Sequence, residues 1–277
     1  MRRRYIVQEL LRELTKTLEV SNIPRASREA QLLLMAYLNE NELWLLTNQT
    51  TEIEIEDDFF EWVHRRSENE PFEYIVNRVS FYSEEFYIDE GALIPRPETE
   101  LLIDEVLKNI EDKMAKITIV EVGVGSGIIS IMLAKNLPNA KVIAVDISQK
   151  ALSVAKRNIE KFNLSQQIEL REGSLLEPID EDIDYLVSNP PYIADGEKLE
   201  SNLSYEPQNA LFGGRIGDEI IQKLLDEVLK QKIKFFSCEM GYDQKDKICS
   251  YLQNKEFKSL EFYQDYSSFD RGFTLKV

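Results

Sequence analysis

Apolar residues in the first part of the chain recur at the spacing of amphipathic helices. Leu10, Leu14 and Leu18 lie four residues apart, so they form one apolar stripe on a helix surface. The same periodicity returns in three later segments, 24–38, 42–46 and 55–66. We therefore expect residues 1–76 to form a small helical N-terminal domain, and we interpret it as the part of the protein that recognises the substrate.

The segment that follows alternates weakly between apolar and polar side chains. Residues 79–89 (VSFYSEEFYID) show this period of two, which is typical of β-strands. We predict a β-hairpin within residues 77–92 that links the helical domain to the rest of the chain.

From residue 93 to residue 277, short apolar runs alternate with amphipathic segments. The apolar runs predict strands near 117–122, 141–146, 167–172, 184–188, 233–239, 258–264 and 271–276. The amphipathic segments predict helices near 98–111, 128–136, 148–162, 217–230 and 243–253. This alternation predicts an α/β domain with a mostly parallel sheet of seven strands and helices on both faces. The short link 266–270 predicts that the last two strands pair antiparallel.

The composition narrows the compartment and the chemistry. With 43% hydrophobic residues among 277, the chain can bury a sizeable core. Its cysteines, Cys238 and Cys249, and its single histidine, His64, lack the spacing of metal ligands, so we expect neither a metal site nor a disulfide. The sequence shows no signal peptide and no long apolar span, and we therefore expect a cytoplasmic protein without membrane contact.

Acidic residues outnumber basic ones, 50 to 33, which gives a net charge of −17. Proteins that bind nucleic acid usually carry a basic track for the phosphates, and the only tight basic run here is Arg2 to Arg4. We therefore expect no direct binding to nucleic acid. The acidity suits a cationic ligand and a basic protein partner.

A glycine-rich loop joins the predicted strand 117–122 to the predicted helix 128–136. Gly123, Gly125 and Gly127 free the backbone for the close approach of a ligand at the start of a helix. Their spacing differs from the Gly-x-Gly-x-x-Gly of dinucleotide-binding proteins, which argues against a dehydrogenase. Because no Walker lysine follows the loop, a nucleoside triphosphate is not expected either.

Asp146 ends the second predicted strand of the α/β region, 141–146. In nucleotide-binding α/β proteins, an acidic residue at this place accepts hydrogen bonds from the hydroxyl groups of the ribose. The alternative is that Asp146 caps the helix beginning near residue 148, although Ser148 can cap that helix equally well.

The most unusual segment is Asn189-Pro190-Pro191-Tyr192, directly after the predicted strand 184–188. Its two prolines fix φ and remove two backbone donors, so the segment is stiff and presents bare carbonyl groups. The side-chain oxygen of Asn189 and the carbonyl of Pro190 can hold the N–H groups of a planar amide or amine, while Tyr192 stacks on its face. A nitrogen held in this way reacts through placement and electrostatics. The alternative is an ordinary turn after a strand.

These segments resemble those of the class I S-adenosylmethionine-dependent methyltransferases, which have a Rossmann-like fold. Residues 121–127 resemble the first motif of that fold, Asp146 resembles its ribose-binding acid, and residues 189–192 resemble the Asn-Pro-Pro-Tyr motif of members that methylate amino or amide nitrogens. The resemblance implies S-adenosylmethionine as the cofactor and S-adenosylhomocysteine as the product, with no metal.

Further sequence strings extend this resemblance over essentially the whole chain. They are 70–75 (EPFEYI), 81–86 (FYSEEF), 93–100 (LIPRPETE) and 206–214 (EPQNALFGG). Their order resembles the protein-(glutamine-N5) methyltransferases, and most closely those that modify peptide chain release factors. The resemblance implies a class-1 release factor as the partner, methylated on the side-chain nitrogen (N5) of the glutamine in its Gly-Gly-Gln motif.

Other functions stay open at this point. The same chemistry serves glutamine methyltransferases that act on a ribosomal protein and adenine-N6 DNA methyltransferases. A protein that binds the cofactor without catalysis is a further alternative, against which the intact Asn-Pro-Pro-Tyr segment argues.

The resemblance also implies roles for individual residues. The residues implied in catalysis are Asn189, Pro190 and Tyr192. The residues implied in cofactor binding are Glu121, Gly123, Val124, Gly125, Ser126, Gly127, Asp146, Ser174, Leu175 and Asn189. The residues implied in substrate binding are Asn189, Pro190, Pro191, Tyr192, Arg96 and Pro97. Arg96 and Pro97 can also simply begin the next helix, and segment 173–175 lacks the acidic residue that the family often has there.

Overall fold

The structure, a computed structural model, describes residues 2–199 and 201–277, so Met1 and Glu200 of the predicted domains lie outside the described residues. The described chain divides into two units. One unit comprises residues 2–77 with 201–205, and the other comprises residues 78–199 with 206–277. The predicted hairpin therefore belongs to the second unit, and the predicted boundaries at residues 76 and 92 stay predictions.

The first unit is mainly helical, as its periodicity predicts. Its helices are α1 (Val7–Val20), α2 (Ala26–Leu38), α3 (Glu42–Thr47), α4 (Asp57–Ser67) and α5 (Phe72–Val76). The stripe of Leu10, Leu14 and Leu18 is fully buried or nearly so and belongs to the same core as Leu33 of α2 and Phe59 of α4. Burial of these apolar faces holds the short helices together, because helices of this length are marginal on their own.

Two strands in this unit were not predicted. They are β1 (Arg2–Ile6) and β2 (Glu52–Glu56), which pair antiparallel. The helix predicted from residue 55 therefore begins at Asp57, because Glu52 to Glu56 (EIEIE) alternates with the period of a strand. The pairing also sets Arg2 against Glu56 at 2.7 Å and Arg4 against Glu54 at 3.3 Å. The basic run is thus matched by acidic side chains.

The second unit begins with the predicted hairpin and continues with the α/β region. In chain order its elements are β3 (Arg78–Phe81), β4 (Glu84–Tyr87), α6 (Thr99–Asn109), β5 (Thr118–Val122), α7 (Ile128–Asn136), β6 (Lys141–Asp146), α8 (Gln149–Lys161), β7 (Ile168–Glu172), β8 (Tyr185–Ser188), β9 (Ile193–Ala194), α9 (Gln208–Leu211), β10 (Phe212–Gly214), α10 (Glu219–Gln231), β11 (Phe235–Glu239), α11 (Lys245–Leu252), β12 (Ser259–Gln264) and β13 (Asp270–Lys276). Of these, β9, β10 and α9 were not predicted.

The large sheet has the order β12-β13-β11-β8-β5-β6-β7. Strands β11, β8, β5, β6 and β7 run parallel, and β13 pairs antiparallel with both β11 and β12. This topology confirms the predicted seven-stranded, mostly parallel sheet and its antiparallel end. A 3-10 helix at Ser201–Tyr205, which belongs to the first unit, is the one excursion from the second unit within the described chain.

The central strands place the site. Ile119 and Val120 of β5 enter hydrophobic clusters on opposite faces of the sheet, so the strand is buried on both sides. Val122 at the end of β5 lies opposite Ser188 at the end of β8. The loops that begin at Gly123 and Asn189 therefore leave adjacent strands at the same edge of the sheet, where ligands bind in open α/β sheets.

No helix in residues 2–199 or 201–277 is long and apolar enough to cross a membrane. Within the same ranges, no group of three or more histidine, cysteine, aspartate or glutamate side chains is arranged to hold a metal ion. Cys238 is a buried free thiol and Cys249 is an exposed one.

Candidate active site

A cavity of about 300 Å³ opens at the carboxyl edge of the parallel strands. Ligand pockets in proteins measure about 300 to 1,000 Å³, so the cavity is of ligand size. Its walls come from the glycine loop after β5, the ends of β6 and β8, residues 91–96, and residues 207–212. All of these segments belong to the second unit.

The glycine loop has a backbone that other residues adopt with difficulty. Gly123, Gly125 and Gly127 have φ angles of +79°, +52° and +85°, which only glycine adopts at no steric cost. A Cβ atom at Gly127 would also lie 3.2 Å from Ala155 of α8. The loop therefore needs glycine both for its dihedral angles and for the close packing of the helix behind it.

Asp146 closes the other side of this loop. Its Oδ2 accepts a hydrogen bond from the backbone N–H of Gly125 at 3.0 Å, and its Oδ1 accepts one from the N–H of Ser148 at 2.9 Å. Burial raises the pKa of the carboxyl group. The helix cap itself is Ser148, whose Oγ accepts from the N–H of Ala151 at 3.3 Å. Asp146 lines the cavity, and each of its oxygens has a further lone pair for a ligand hydroxyl.

Glu121 is a buried acidic residue in the middle of the sheet that also lines the cavity. Its Oε2 accepts hydrogen bonds from the backbone N–H of Ser130 at 2.9 Å and from the Ser130 hydroxyl. Its Oε1 is buried and has no partner among the described residues. Burial raises the pKa of Glu121 to about 8. A buried acceptor without a hydrogen-bond partner costs folding free energy. A cationic ligand in the cavity would supply a donor for the Oε1 atom of Glu121.

Asn189 lies between the glycine loop and the start of α6. Its Nδ2 donates a hydrogen bond to Oγ1 of Thr99 at 3.1 Å, and the Thr99 hydroxyl donates to Oε2 of Glu239 at 2.7 Å. The Oδ1 atom of Asn189 accepts no hydrogen bond from the described residues. Since Asn189 lines the cavity, its amide oxygen is the end of the side chain left for a ligand.

The other three residues of the Asn-Pro-Pro-Tyr segment differ in their position relative to the cavity. Of this segment, Asn189 and Pro191 line the cavity, while Pro190 is buried outside its lining. The Tyr192 hydroxyl donates to Oε1 of Glu239 at 3.4 Å, and burial raises the pKa of this tyrosine. Tyr192 is also absent from the described lining of the cavity, so its ring is placed as a support and its predicted stacking role stays a prediction.

Side chains from distant segments fix the backbone of this segment. Nε2 of Gln244 donates to the carbonyl oxygens of Tyr192 and Gly217, both at 3.1 Å. The hydroxyl of Ser188 donates to the carbonyl of Val122 at 2.7 Å. A Cβ atom at Gly213 would come within 2.3 Å of the Pro191 carbonyl oxygen. The segment is therefore held tightly on both sides.

The structure divides the other predicted site residues. Val124, Ser126, Ser174 and Leu175 line the cavity, as do Gly123 and Gly125, whereas Gly127 does not belong to the described lining and packs against Ala155 instead. Leu175 has a φ of +51°, an uncommon conformation for a residue with a Cβ and one that often marks functional sites. Arg96 lines the cavity, whereas Pro97 is exposed and does not belong to the described lining.

Several residues at the site were not predicted to act there. Thr99 and Glu239 contact the Asn-Pro-Pro-Tyr segment, and Glu206 accepts hydrogen bonds from the N–H of Ile94 at 3.1 Å and from the Arg96 guanidinium. Glu206 is buried, so it fixes the loop that carries Arg96. Thr99 and Glu206 lie within the sequence strings 93–100 and 206–214, which resemble the family and could have indicated them. Glu239 lies outside these strings, and its neighbours in sequence do not indicate a role at the site.

Two known protein families match parts of this chain. The Methyltransferase small domain matches residues 97–211, and the PrmC N-terminal domain matches residues 9–76. The catalytic domain of human METTL16, solved in complex with an RNA hairpin, aligns with a TM-score of 0.58 and 16% identity over 69% of this chain and 74% of that one. The N-terminal domain of human METTL16 in complex with SAH aligns with a TM-score of 0.50 and 17% identity, over 69% and 75%. This likeness concerns the fold, a class I methyltransferase fold.

Relatives in sequence are more informative. A bifunctional methyltransferase of Rickettsia typhi is 36% identical over 96% of this chain, and the chain spans 56% of its length. A release factor glutamine methyltransferase of Clostridium acetobutylicum is 33% identical, and the alignment covers 96% of this chain and 96% of that protein. The chain therefore belongs to the family of release factor glutamine methyltransferases.

Proposed function

We propose that this protein transfers a methyl group from S-adenosylmethionine to the side-chain nitrogen (N5) of the glutamine in the Gly-Gly-Gln motif of class-1 peptide chain release factors. S-adenosylhomocysteine is the second product. The release factor is the partner, and the helical first unit takes part in its recognition. The family to which the chain belongs supports this proposal, as does the chemistry of the site.

The observation that carries the proposal is the state of the Asn189 carboxamide. Its nitrogen is engaged by Thr99, and its oxygen, at the cavity, has no partner among the described residues. A glutamine amide presents N–H groups that need acceptors, and the Asn189 oxygen would supply one at the cavity. Because the amide lone pair is delocalised, holding the nitrogen in place and stabilising its developing positive charge is the help it needs.

The described residues fit S-adenosylmethionine at the cavity. The orphaned Oε1 of Glu121 suits an ammonium group, and Asp146 suits the ribose hydroxyls. Gly123 and Gly125 line the cavity without a Cβ, which leaves room there for the ligand. Ser174 and Leu175 follow the end of β7 and would contact the adenine. When bound, the cofactor supplies an electrophilic methyl group on a sulfonium centre.

The residues of this chain would then bind the substrate glutamine, orient its amide nitrogen and exclude water. Asn189 would hold an N–H group of the substrate amide, and Arg96 and Pro191, which line the cavity, would wall the glutamine. Tyr192 would fix its plane. The amide nitrogen becomes more acidic as it gains positive charge, so its proton can leave to water and no strong protein base is required.

The surface charge favours a protein partner over DNA. The net charge is −17, and the one tight basic run is opposed by acidic residues, with Arg2 at 2.7 Å from Glu56 and Arg3 at 3.5 Å from Asp57. A basic track for phosphates, which DNA-binding proteins generally use, is thus not offered by that run.

Mass spectrometry of a purified class-1 release factor tests the proposal after incubation with this protein and S-adenosylmethionine. We expect one added methyl group, located on the Gly-Gly-Gln glutamine, and no methylation of a release factor in which that glutamine is alanine. Ribosomal protein and duplex DNA serve as competing substrates in parallel reactions. Methylation of either one, with an unmodified release factor, would reject the proposed substrate.

A further inference from the structure

Three side chains from separate elements form a hydrogen-bonded relay at the wall of the cavity, which Asn189 and Thr99 line. Asn189 follows β8, Thr99 begins α6, and Glu239 ends β11. Nδ2 of Asn189 donates to Oγ1 of Thr99 at 3.1 Å, and the Thr99 hydroxyl donates to Oε2 of Glu239 at 2.7 Å. Thr99 is 1% exposed and Glu239 is 2% exposed, so water does not compete for these bonds.

The donor and acceptor of each hydrogen bond in this relay follow from the protons available. The ionised carboxylate of Glu239 can only accept hydrogen bonds, so the single hydroxyl proton of Thr99 is used in the bond to Glu239. The Thr99 oxygen then has only lone pairs to offer Asn189. The two ends of a carboxamide are alike in size and differ in hydrogen bonding. Thr99 therefore selects the NH₂ end of Asn189 and leaves the oxygen end for the cavity.

We propose that Glu239 and Thr99 are positioning residues that set which end of the Asn189 amide faces the substrate. The inference rests on the proposed function in one respect, namely that the Asn189 oxygen receives an N–H group of the substrate. If the amide were reversed, its NH₂ group would meet the NH₂ group of the glutamine, and two donors cannot bond to each other.

A second hydrogen bond holds Glu239 in this role. The Tyr192 hydroxyl donates to Oε1 of Glu239 at 3.4 Å, so both ends of the Asn-Pro-Pro-Tyr segment converge on one carboxylate. Thr99 also ties the start of α6 to this segment. Thr99 begins α6 two residues after Pro97, so the relay of Glu239, Thr99 and Asn189 adjoins the loop that carries Arg96 beside the cavity.

The protonation of Glu239 gives the relay a measurable signature. Burial raises the pKa of Glu239 to about 7. Hydrogen bonds from Thr99 and Tyr192 and the charge of Arg271 lower this pKa, whereas the charge of Glu98 raises it further. A protonated Glu239 can donate to Thr99, which frees the Thr99 proton to bond the oxygen of Asn189 and reverses the amide. The titratable and charged groups facing Glu239 are Glu98, Tyr192, Cys238, Tyr263 and Arg271.

Substitutions that keep shape but change hydrogen bonding test the relay. Thr99→Val keeps the volume and removes the hydroxyl, whereas Thr99→Ser keeps the hydroxyl. Glu239→Gln keeps the shape and adds a donor. Thr274→Val is the matched control, because Thr274 is buried on β13. For each variant we would measure kcat, KM for the release factor, the Kd of S-adenosylhomocysteine and the Tm.

We expect Thr99→Val and Glu239→Gln to lower kcat by about tenfold or more, the rate equivalent of one net hydrogen bond lost from the transition state, with the Kd of S-adenosylhomocysteine changed by less than about twofold. The double variant should be no slower than the worse single one, since both act on one relay. Thr99→Ser should recover most of the lost kcat. An unchanged kcat in Thr99→Val would overturn the inference, as would kcat and cofactor affinity falling in parallel.

A measurement without turnover separates this inference from the proposed function. The side-chain NH₂ resonances of Asn189, assigned by their disappearance in Asn189→Ala, should shift between pH 6 and pH 8 in the wild-type protein and stay constant in Glu239→Gln. If they titrate while the release factor stays unmethylated, the relay stands and the proposed function fails. If the release factor is methylated but these resonances do not respond to pH or to Thr99→Val, the relay is wrong.

Discussion

The backbone N–H of Gly125 donates a 3.0 Å hydrogen bond to Oδ2 of Asp146, twenty-one residues later in the chain. The carboxylate expected to hold the ribose therefore also shapes the loop expected to surround the cofactor. The carbonyl of Asp146 further accepts from the N–H of Gly173 at 3.0 Å, which draws in the segment proposed to contact the adenine. One residue thus coordinates three parts of the proposed cofactor site.

Asp146→Asn should weaken S-adenosylhomocysteine binding by about 1.5–3 kcal/mol, the loss typical of hydrogen bonds to a charged group. Isothermal titration calorimetry measures this change. Asp184→Asn is the matched control, because its Oδ2 accepts from the N–H of Thr118 at 2.9 Å at the start of the strands. Both variants lose a charged acceptor of a backbone N–H, but only Asp146→Asn should alter affinity. Wild-type affinity in Asp146→Asn would contradict the assigned role.

Cofactor binding should depend on pH through Glu121. Burial raises the pKa of this group to about 8, so it is largely protonated at pH 7 in the unliganded protein. A bound ammonium group favours the ionised form, so binding releases a proton and the affinity rises between pH 6 and pH 8. Calorimetry in buffers of different ionisation enthalpy would detect the released proton. Glu121→Gln should bind more weakly, with neither proton release nor pH dependence.

The same carboxyl group should make the unliganded protein less stable as pH rises. Its folded pKa of about 8 lies above the ordinary value of 4.5, so the folded state holds the proton more tightly than the unfolded state between these values. The free energy of unfolding of the wild type should therefore fall relative to Glu121→Gln from pH 5 to pH 8, by at most about 1.4 kcal/mol per pH unit. Urea denaturation measures both proteins. A difference that does not vary with pH would show that Glu121 titrates normally.

Asn189→Ala should lower kcat by about 100-fold or more, the scale seen when one preorganised hydrogen-bonding group is removed from a catalytic site. The Kd of S-adenosylhomocysteine should change by less than about threefold, because the proposed cofactor contacts come mainly from other residues. Single-turnover methylation and calorimetry provide the two values. Asn254→Ala, at an exposed position, controls for loss of an asparagine. Equal losses of kcat and affinity would point to a collapsed site.

Gly213→Ala tests the support behind Pro191. The added Cβ would come within 2.3 Å of the Pro191 carbonyl oxygen and 2.5 Å of the Gly217 carbonyl oxygen, so the segment must shift. We expect a loss of about 1–3 kcal/mol in stability, as for overpacked sites, and a larger fall in kcat than in cofactor affinity. Gly196→Ala is the control for kcat and cofactor affinity alone: a Cβ there meets nothing within 4 Å, but its φ of +85° costs stability by itself. Normal kcat in Gly213→Ala would show that the position of Pro191 is unimportant.

The elements of the second unit could be predicted closely because their signals are local. The strand predicted at 141–146 and the helix predicted at 128–136 have the observed bounds. The β1–β2 pair could not be predicted in this way, because Arg2–Ile6 and Glu52–Glu56 are far apart and each becomes a strand by pairing with the other. The short strands β9 and β10 could not be predicted either, because they too are separated in the sequence and pair with each other.

The sequence by itself determined the order of strands and helices, the glycine loop, the position of Asp146 and the stiffness of residues 189–192. These features arise from side-chain periodicity and from the backbone limits of glycine and proline, which act within a few residues. Only the tertiary structure decided which end of the Asn189 amide is engaged. That choice depends on Thr99 and Glu239, which lie 90 residues before and 50 residues after Asn189 and meet it only when α6 and β11 reach the same edge of the sheet.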